Sequence, residues 1–159
     1  MTRIESSILV PKSIEDVFSF LNERKSHLNF IPRMIALHQT SQGNFGRVGT
    51  TAEGMLNYFG VKIPVQYEII EHQLNQRLAM KGKMGPVVFK DGYVLSRNTG
   101  RTEIKFWLEL NPKGWTKVFA PFAGLIGKIH AWETLRNLKR ELTVLRSANN
   151  EELASRKSQ

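Results

Sequence analysis

Residues 112–145 read PKGWTKVFAPFAGLIGKIHAWETLRNLKRELTVL, and the fold turns on how they are read. Trp115, Val118, Phe119, Phe122, Leu125, Ile126, Ile129 and Trp132 run at helical spacing into Leu135, Leu138, Leu142 and Leu145. A straight helix of about 30 residues spans roughly 45 Å, enough to lie across most of a sheet. Its head, FAPFAGLIG (119–127), is uncharged, yet it carries Pro121, Gly124 and Gly127, residues a helix tolerates poorly. Pro121 either falls within the tolerated first turn or marks a break before the helix proper. Gly124 and Gly127 remove side chains where the helix would face the interior, leaving room for a ligand or a close strand. The segment reads as a gate and pocket wall.

The element before it is the clearest strand. In TEIKFWLEL, Thr102, Ile104, Phe106, Leu108 and Leu110 face one way, and Glu103, Lys105, Trp107 and Glu109 the other. That alternation belongs to an antiparallel sheet with one wet face. Upstream, VGTTAEGMLNYF predicts a strand presenting Thr51, Glu53, Met55, Asn57 and Phe59 together. VKIPVQYEIIEH presents Val65, Tyr67 and Ile69, and RLAMKGKM presents Leu78, Met80, Gly82 and Met84. PVVFKDGYVLS is a further strand, with a bulge or turn expected at Asp91-Gly92. MIALHQT is a weaker strand. At the N-terminus RIESSILV alternates, followed by a helix capped by Ser13 and a second short helix over Ser26–Phe30.

The 159 residues suggest one domain, which this length can stabilise by core burial alone. No cysteine is present, which excludes disulfides, zinc–thiolate sites and cysteine nucleophiles. No signal-like or membrane-spanning run is seen, and the expectation is a soluble, cytoplasmic protein. Net charge is +9, weighted toward residues 113–159, with nine Lys and Arg against four Glu. Beyond about residue 146, positions 147–159 read as a polar, flexible tail.

One sheet with an apolar face needs a cover, and only the C-terminal helix is large enough. The expected class is α+β, a curved antiparallel sheet wrapped around a long C-terminal helix, with two short helices near the N-terminus. This layout resembles the helix-grip fold of the START-like (SRPBCC) superfamily, nearest the polyketide cyclase/dehydrase family with its lipid-transport-like members. The resemblance runs over residues 2–145. It rests on VPKSIEDVFSFLNE, Phe30-Ile31-Pro32, Gly46-Arg47-Val48-Gly49-Thr50, Ile70-Glu71 with Arg77-Leu78, Thr102 after its Gly turn, and the ending Leu138-Lys139-Arg140-Glu141-Leu142. GPVVFKDGYVLS also resembles the related coenzyme Q-binding proteins. The resemblance implies a domain over 1–146 with a deep pocket for a hydrophobic small molecule, and it implies no single reaction.

The residues expected to line that pocket are Met55, Asn57, Tyr67, Met80, Phe89, Tyr93, Ile104, Phe106, Leu108, Phe122, Gly124, Ile126, Gly127 and His130. Tyr67, Tyr93, Asn57 and His130 would orient the ligand. The competing reading for most of them is an ordinary packed core. His27, His38, His72 and His130 are too scattered in sequence for a metal site, and no metal or cofactor is expected. No nucleophile elbow or phosphate-binding loop appears. Glu53, Glu71, Asp91 and Arg97 fall in phase with interior positions but also sit where strands meet solvent; a bulge at Gly92 would turn Asp91 outward.

The functional expectation is binding or transport of a lipid, isoprenoid or polyketide-like compound, more a carrier than an enzyme. The alternatives are a cyclase or dehydratase using the same pocket, and a membrane- or protein-interaction module without ligand. Arg136, Lys139, Arg140 and Arg146 lack interleaved aromatics, which disfavours nucleic acid. The apolar head of the helix between Lys117 and Lys128 suits a transient contact with an anionic membrane.

Overall fold

The computed structural model describes residues 2–157; the side chains at 145–150, including those of Leu145 and Arg146, lie outside that description. The chain forms β1 (Thr2–Val10), α1 (Ile14–Leu21), α2 (Arg24–Phe30), β2 (Met34–Gln39), β3 (Thr51–Tyr58), β4 (Val61–Gln73), β5 (Arg77–Met84), β6 (Val87–Asn98), β7 (Arg101–Pro112), a 3₁₀ turn (Gly114–Phe119) and α3 (Ala120–Lys157). The seven strands make one antiparallel sheet in the order β1-β7-β6-β5-β4-β3-β2. The expected helix-grip architecture is the observed one.

Local chemistry sets the elements. Ser13 is extended and its Oγ accepts from the Asp16 backbone N–H at 3.1 Å, satisfying one of the free donors at the start of α1. Between β3 and β4, Phe59 and Gly60 both adopt positive φ, and Asn57 Oδ1 accepts from the Gly60 N–H at 2.8 Å. This two-residue turn matches strand twist and fixes the hairpin register.

The core lies between the concave face of the sheet and the helices. Thr102, Ile104, Phe106, Leu108 and Leu110 of β7 are all buried, as their alternation predicts. Tyr93 packs on Phe106 and Phe30, ring centroids 5.1 and 6.1 Å apart. From α3 the buried residues include Gly127, Ala131, Thr134, Leu135, Leu138 and Leu142. Full burial of each large apolar side chain contributes about 2 kcal/mol.

Three expectations change. β3 has the opposite phase: Ala52 and Leu56 are buried, so Thr51, Glu53, Met55 and Asn57 lie on the other face. The reason is the tight β2–β3 pairing, where a Cβ on Gly54 would meet the Ala36 carbonyl at 2.7 Å and Met34 Sδ at 2.9 Å. Small residues face inward here, and side-chain size misleads. No bulge occurs at Gly92; β6 is in continuous register with β5 and β7, and the irregularities fall at Met34/Ala36 and Ile69/Glu71. Gly92 is required because Trp107 lies across it, with Cζ2 2.8 Å from where its Cβ would be.

The third change concerns α3. Pro121 occupies its first turn, where a missing N–H costs little. The helix then continues through Lys157, past the expected start of the tail, with residues 151–157 exposed. Its first half turns small residues to the sheet, the side expected for Gly124 and Gly127, but puts Phe122 outside. Gly127 and Ala131 are buried against the sheet, while Phe122, Leu125, Ile126, Ile129 and Trp132 are exposed. Periodicity reports that two faces differ but not which one turns inward.

Candidate functional site

A cavity of about 80 Å³ lies between the sheet and the first half of α3. Leu56 and Tyr58 come from β3, Val65 and Tyr67 from β4, Met80 and Met84 from β5, Phe89 and Asp91 from β6, and Leu108 and Leu110 from β7. Ile31 and Met34 supply the α2–β2 corner, and Ile126, Gly127 and His130 of α3 complete the wall. Because side chains alternate along a strand, each strand contributes residues two or four apart.

Asp91 is the one carboxyl in this largely apolar surface. It sits between Met80 and Leu108 on the neighbouring strands, and its Oδ1 is buried without a hydrogen-bond partner. Burial disfavours the carboxylate and pushes the pKa up to about 7. An unpaired polar atom in the interior costs on the order of 1–3 kcal/mol.

Tyr67 is held differently. Its hydroxyl lies 3.0 Å from His27 Nδ1, and His27 Nε2 lies 2.7 Å from the Leu21 carbonyl. A carbonyl only accepts, so Nε2 carries the proton and Nδ1 accepts from Tyr67. His27 is fully buried on α2, and burial holds its pKa down to about 4 against the opposing pull of the Leu21 carbonyl. The pair fixes the Tyr67 ring in the wall. His130 turns toward the cavity from α3, and burial likewise pushes its pKa down to about 4, with Glu133 opposing.

The rim is tied by ions. Arg33 donates to both carboxylate oxygens of Glu133, at 2.5 and 3.1 Å, and its guanidinium lies 5.0 Å from the Tyr58 ring centroid. Asn137 Nδ2 donates to the Phe30 carbonyl at 3.2 Å. These contacts pin the middle of α3 to the α2–β2 corner.

Of the residues expected in the pocket, the structure gathers Tyr67, Met80, Phe89, Leu108, Ile126, Gly127 and His130 around the cavity. Tyr93, Ile104 and Phe106 are buried in the packed core beside it, not in its wall. Met55 and Asn57 are on the opposite face of β3, for the reason of phase given above. Phe122 is 59% exposed on the outer side of α3, and Gly124 packs toward Thr2. Glu53 faces His38 and Gln66, Glu71 pairs with Arg77, and Arg97 pairs with Glu15, all outside the cavity. Ile31, Met34, Leu56, Tyr58, Val65, Met84, Asp91 and Leu110 complete the wall; for Leu56 and Tyr58 the wrong phase of β3 hid them. Among the described residues no three His, Asp or Glu side chains gather as metal ligands.

No family model matches the chain, and no curated protein does. Solved structures match over nearly the whole chain. A START superfamily protein from Mycobacterium smegmatis superposes with a TM-score of 0.77 at 12% identity, covering 90% of this chain and 98% of that one. The Zhui aromatase/cyclase from a Streptomyces species gives 0.75 at 9% identity, covering 89% and 93%. Ara h 8.0201 gives 0.65 at 12% identity, covering 90% and 98%. At such identities the likeness establishes the fold alone: this chain has the helix-grip fold. No helix of the described residues is long and apolar enough to cross a membrane.

Proposed function

We propose that the protein binds a hydrophobic small molecule whose single polar group hydrogen-bonds to Asp91. The observation that carries this is Asp91 Oδ1, buried at the wall of a largely apolar cavity without a hydrogen-bond partner among the described residues. A group that costs stability and forms no bond within the chain is the kind a protein keeps for a ligand. The carboxyl offers a donor and an acceptor when protonated, suiting a hydroxyl or carbonyl at the end of a lipid, isoprenoid or polyketide-like body.

The cavity of about 80 Å³ is smaller than the roughly 150 Å³ that accommodates benzene in an engineered protein core. Uptake of a lipid-sized molecule therefore requires α3 to move from the sheet. Its first half is the part available, since Glu133 and Asn137 anchor the middle.

A second reading has its own support. Asp91 near pKa 7 and neutral His130 face the same cavity, a pairing suited to proton transfer in a cyclase or dehydratase. Native mass spectrometry of the protein from its own host separates the two. The carrier reading expects one intact compound retained, and its occupancy reduced about tenfold in Asp91→Leu, by loss of a buried hydrogen bond. Recovery of a substrate–product mixture that collapses to substrate in Asp91→Asn supports the enzyme. Absence of any bound compound, together with no uptake of fluorescent fatty-acid or isoprenoid probes, rejects both.

A further inference from the structure

The first half of α3 is built inside out. Toward β1 and β7 it presents Gly124, Gly127 and Ala131, and a Cβ on Gly127 would stand 2.1 Å from Ile4 Cδ1 and 3.2 Å from Leu110 Cδ1. Small residues let the helix backbone lie against the strand. Roughly 200° around the helix, at about 100° per residue, the large apolar side chains face away. Trp115 and Phe119 of the 3₁₀ turn, then Phe122, Leu125, Ile129 and Trp132, are 47–72% exposed. Scattered exposed apolar residues are ordinary, but a continuous stripe of this size marks a surface made to be covered.

The charges say by what. From residue 113 to 132 the chain carries Lys113, Lys117 and Lys128 and no acidic residue. All three lysines are exposed, and none forms a salt bridge among the described residues. Beyond the stripe, Arg136 lies 4.4 Å over the Trp132 ring. The other lip of the cavity repeats the pattern. Next to the wall residue Tyr58, the β3–β4 turn exposes Phe59 and Val61, with exposed Lys62 following. No acidic residue occurs between 54 and 67.

We infer that this face docks onto an anionic lipid bilayer, with the stripe of α3 lying in the plane of the interface and the lysines against the headgroups. An interfacial helix needs apolar bulk on one side, aromatic residues at its boundary and flanking cations, all present here. Self-association fits poorly: two such faces would bring unpaired lysines together with no carboxylate between them. The inference stands apart from the ligand reading, because it rests on the outer side of α3 and not on the cavity.

Sedimentation with phosphatidylcholine vesicles, with and without one third phosphatidylglycerol, tests it. The expected result is binding to the anionic vesicles at least about tenfold stronger than to the neutral ones, weakened by salt. Trp115 and Trp132 emission should shift to the blue on binding. Leu125→Glu combined with Ile129→Glu changes only exposed positions, so its melting curve should match the parent while vesicle binding falls about tenfold or more. Lys113→Glu with Lys117→Glu should remove the anionic preference. Absence of sedimentation with either vesicle, or unchanged binding by the glutamate variants, would overturn the inference. So would a dimer in light scattering that dissociates in the Leu125/Ile129 variant without vesicle binding, which would assign the stripe to a second copy.

Discussion

Asp91→Asn will stabilise the protein more at about pH 8 than at about pH 4, by a difference on the order of 4 kcal/mol. In the folded chain Asp91 titrates at about 7 because burial disfavours its carboxylate, against an ordinary value of 3.8. Between those two values the folded state holds a proton that the unfolded state has released. Stability contributed by this group therefore falls as pH rises through the window and reaches its lowest level above pH 7. Asparagine does not ionise, so the variant escapes the loss. His27 and His130 titrate with the opposite sign: both are neutral when folded, so acid below their ordinary value of 6.5 destabilises the fold. They are present in both proteins and cancel in the comparison. Urea unfolding of parent and variant at the two pH values measures the effect, and equal differences at both would remove the buried-carboxyl account of the site. The expectation joins stability to function, since the more stable variant should be the poorer binder.

The second large effect separates two neighbouring glycines. Gly127→Leu should destabilise by about 3 kcal/mol or more, because Ile4 and Leu110 already occupy the space its side chain needs. Gly124→Ala should stabilise by about 1 kcal/mol, since its new Cβ meets only Thr2 Cγ2 at an ordinary 3.7 Å and alanine favours helix. Thermal melts of the two variants read this directly. Equal responses would mean that α3 does not lie on β1 as described. The pair also revises the reading of Gly127, which borders the cavity yet is fixed chiefly by the approach of a strand.

The sheet was legible wherever large residues faced inward. Alternation in TEIKFWLEL located the concave face of β7, and the same pattern located Val65, Tyr67 and Ile69 on β4. It failed on β3, where Ala52 and Gly54 face inward under a close β2, and bulk points the wrong way. At the head of α3 the glycines are expected to face inward, but bulk misleads again for Phe122, which lies outside while glycine and alanine meet the sheet. Asp91 was in plain phase with Phe89 and Tyr93, but Asp-Gly resembles a turn. Only the position of Trp107 over Gly92 reveals that the glycine serves packing and that the strand runs on. The His27–Tyr67 bond joins residues 40 apart, and no local pattern announces it.

The Arg33–Glu133 pair gives α3 a fulcrum. From Ala120 to Glu133 the helix is an arm of about 20 Å, touching the sheet through glycine, alanine and the methyl groups of their neighbours. Contacts of that kind are short-ranged and undirected, so sliding or lifting breaks no hydrogen bond. A bend of roughly 10° at Glu133 carries the Ala120 end through about 3 Å, the width of a water molecule, while leaving Leu135, Leu138 and Leu142 in place. The helix can thus work as a hinged arm, rooted in the core at one end and joined to β7 by the short 3₁₀ turn at the other.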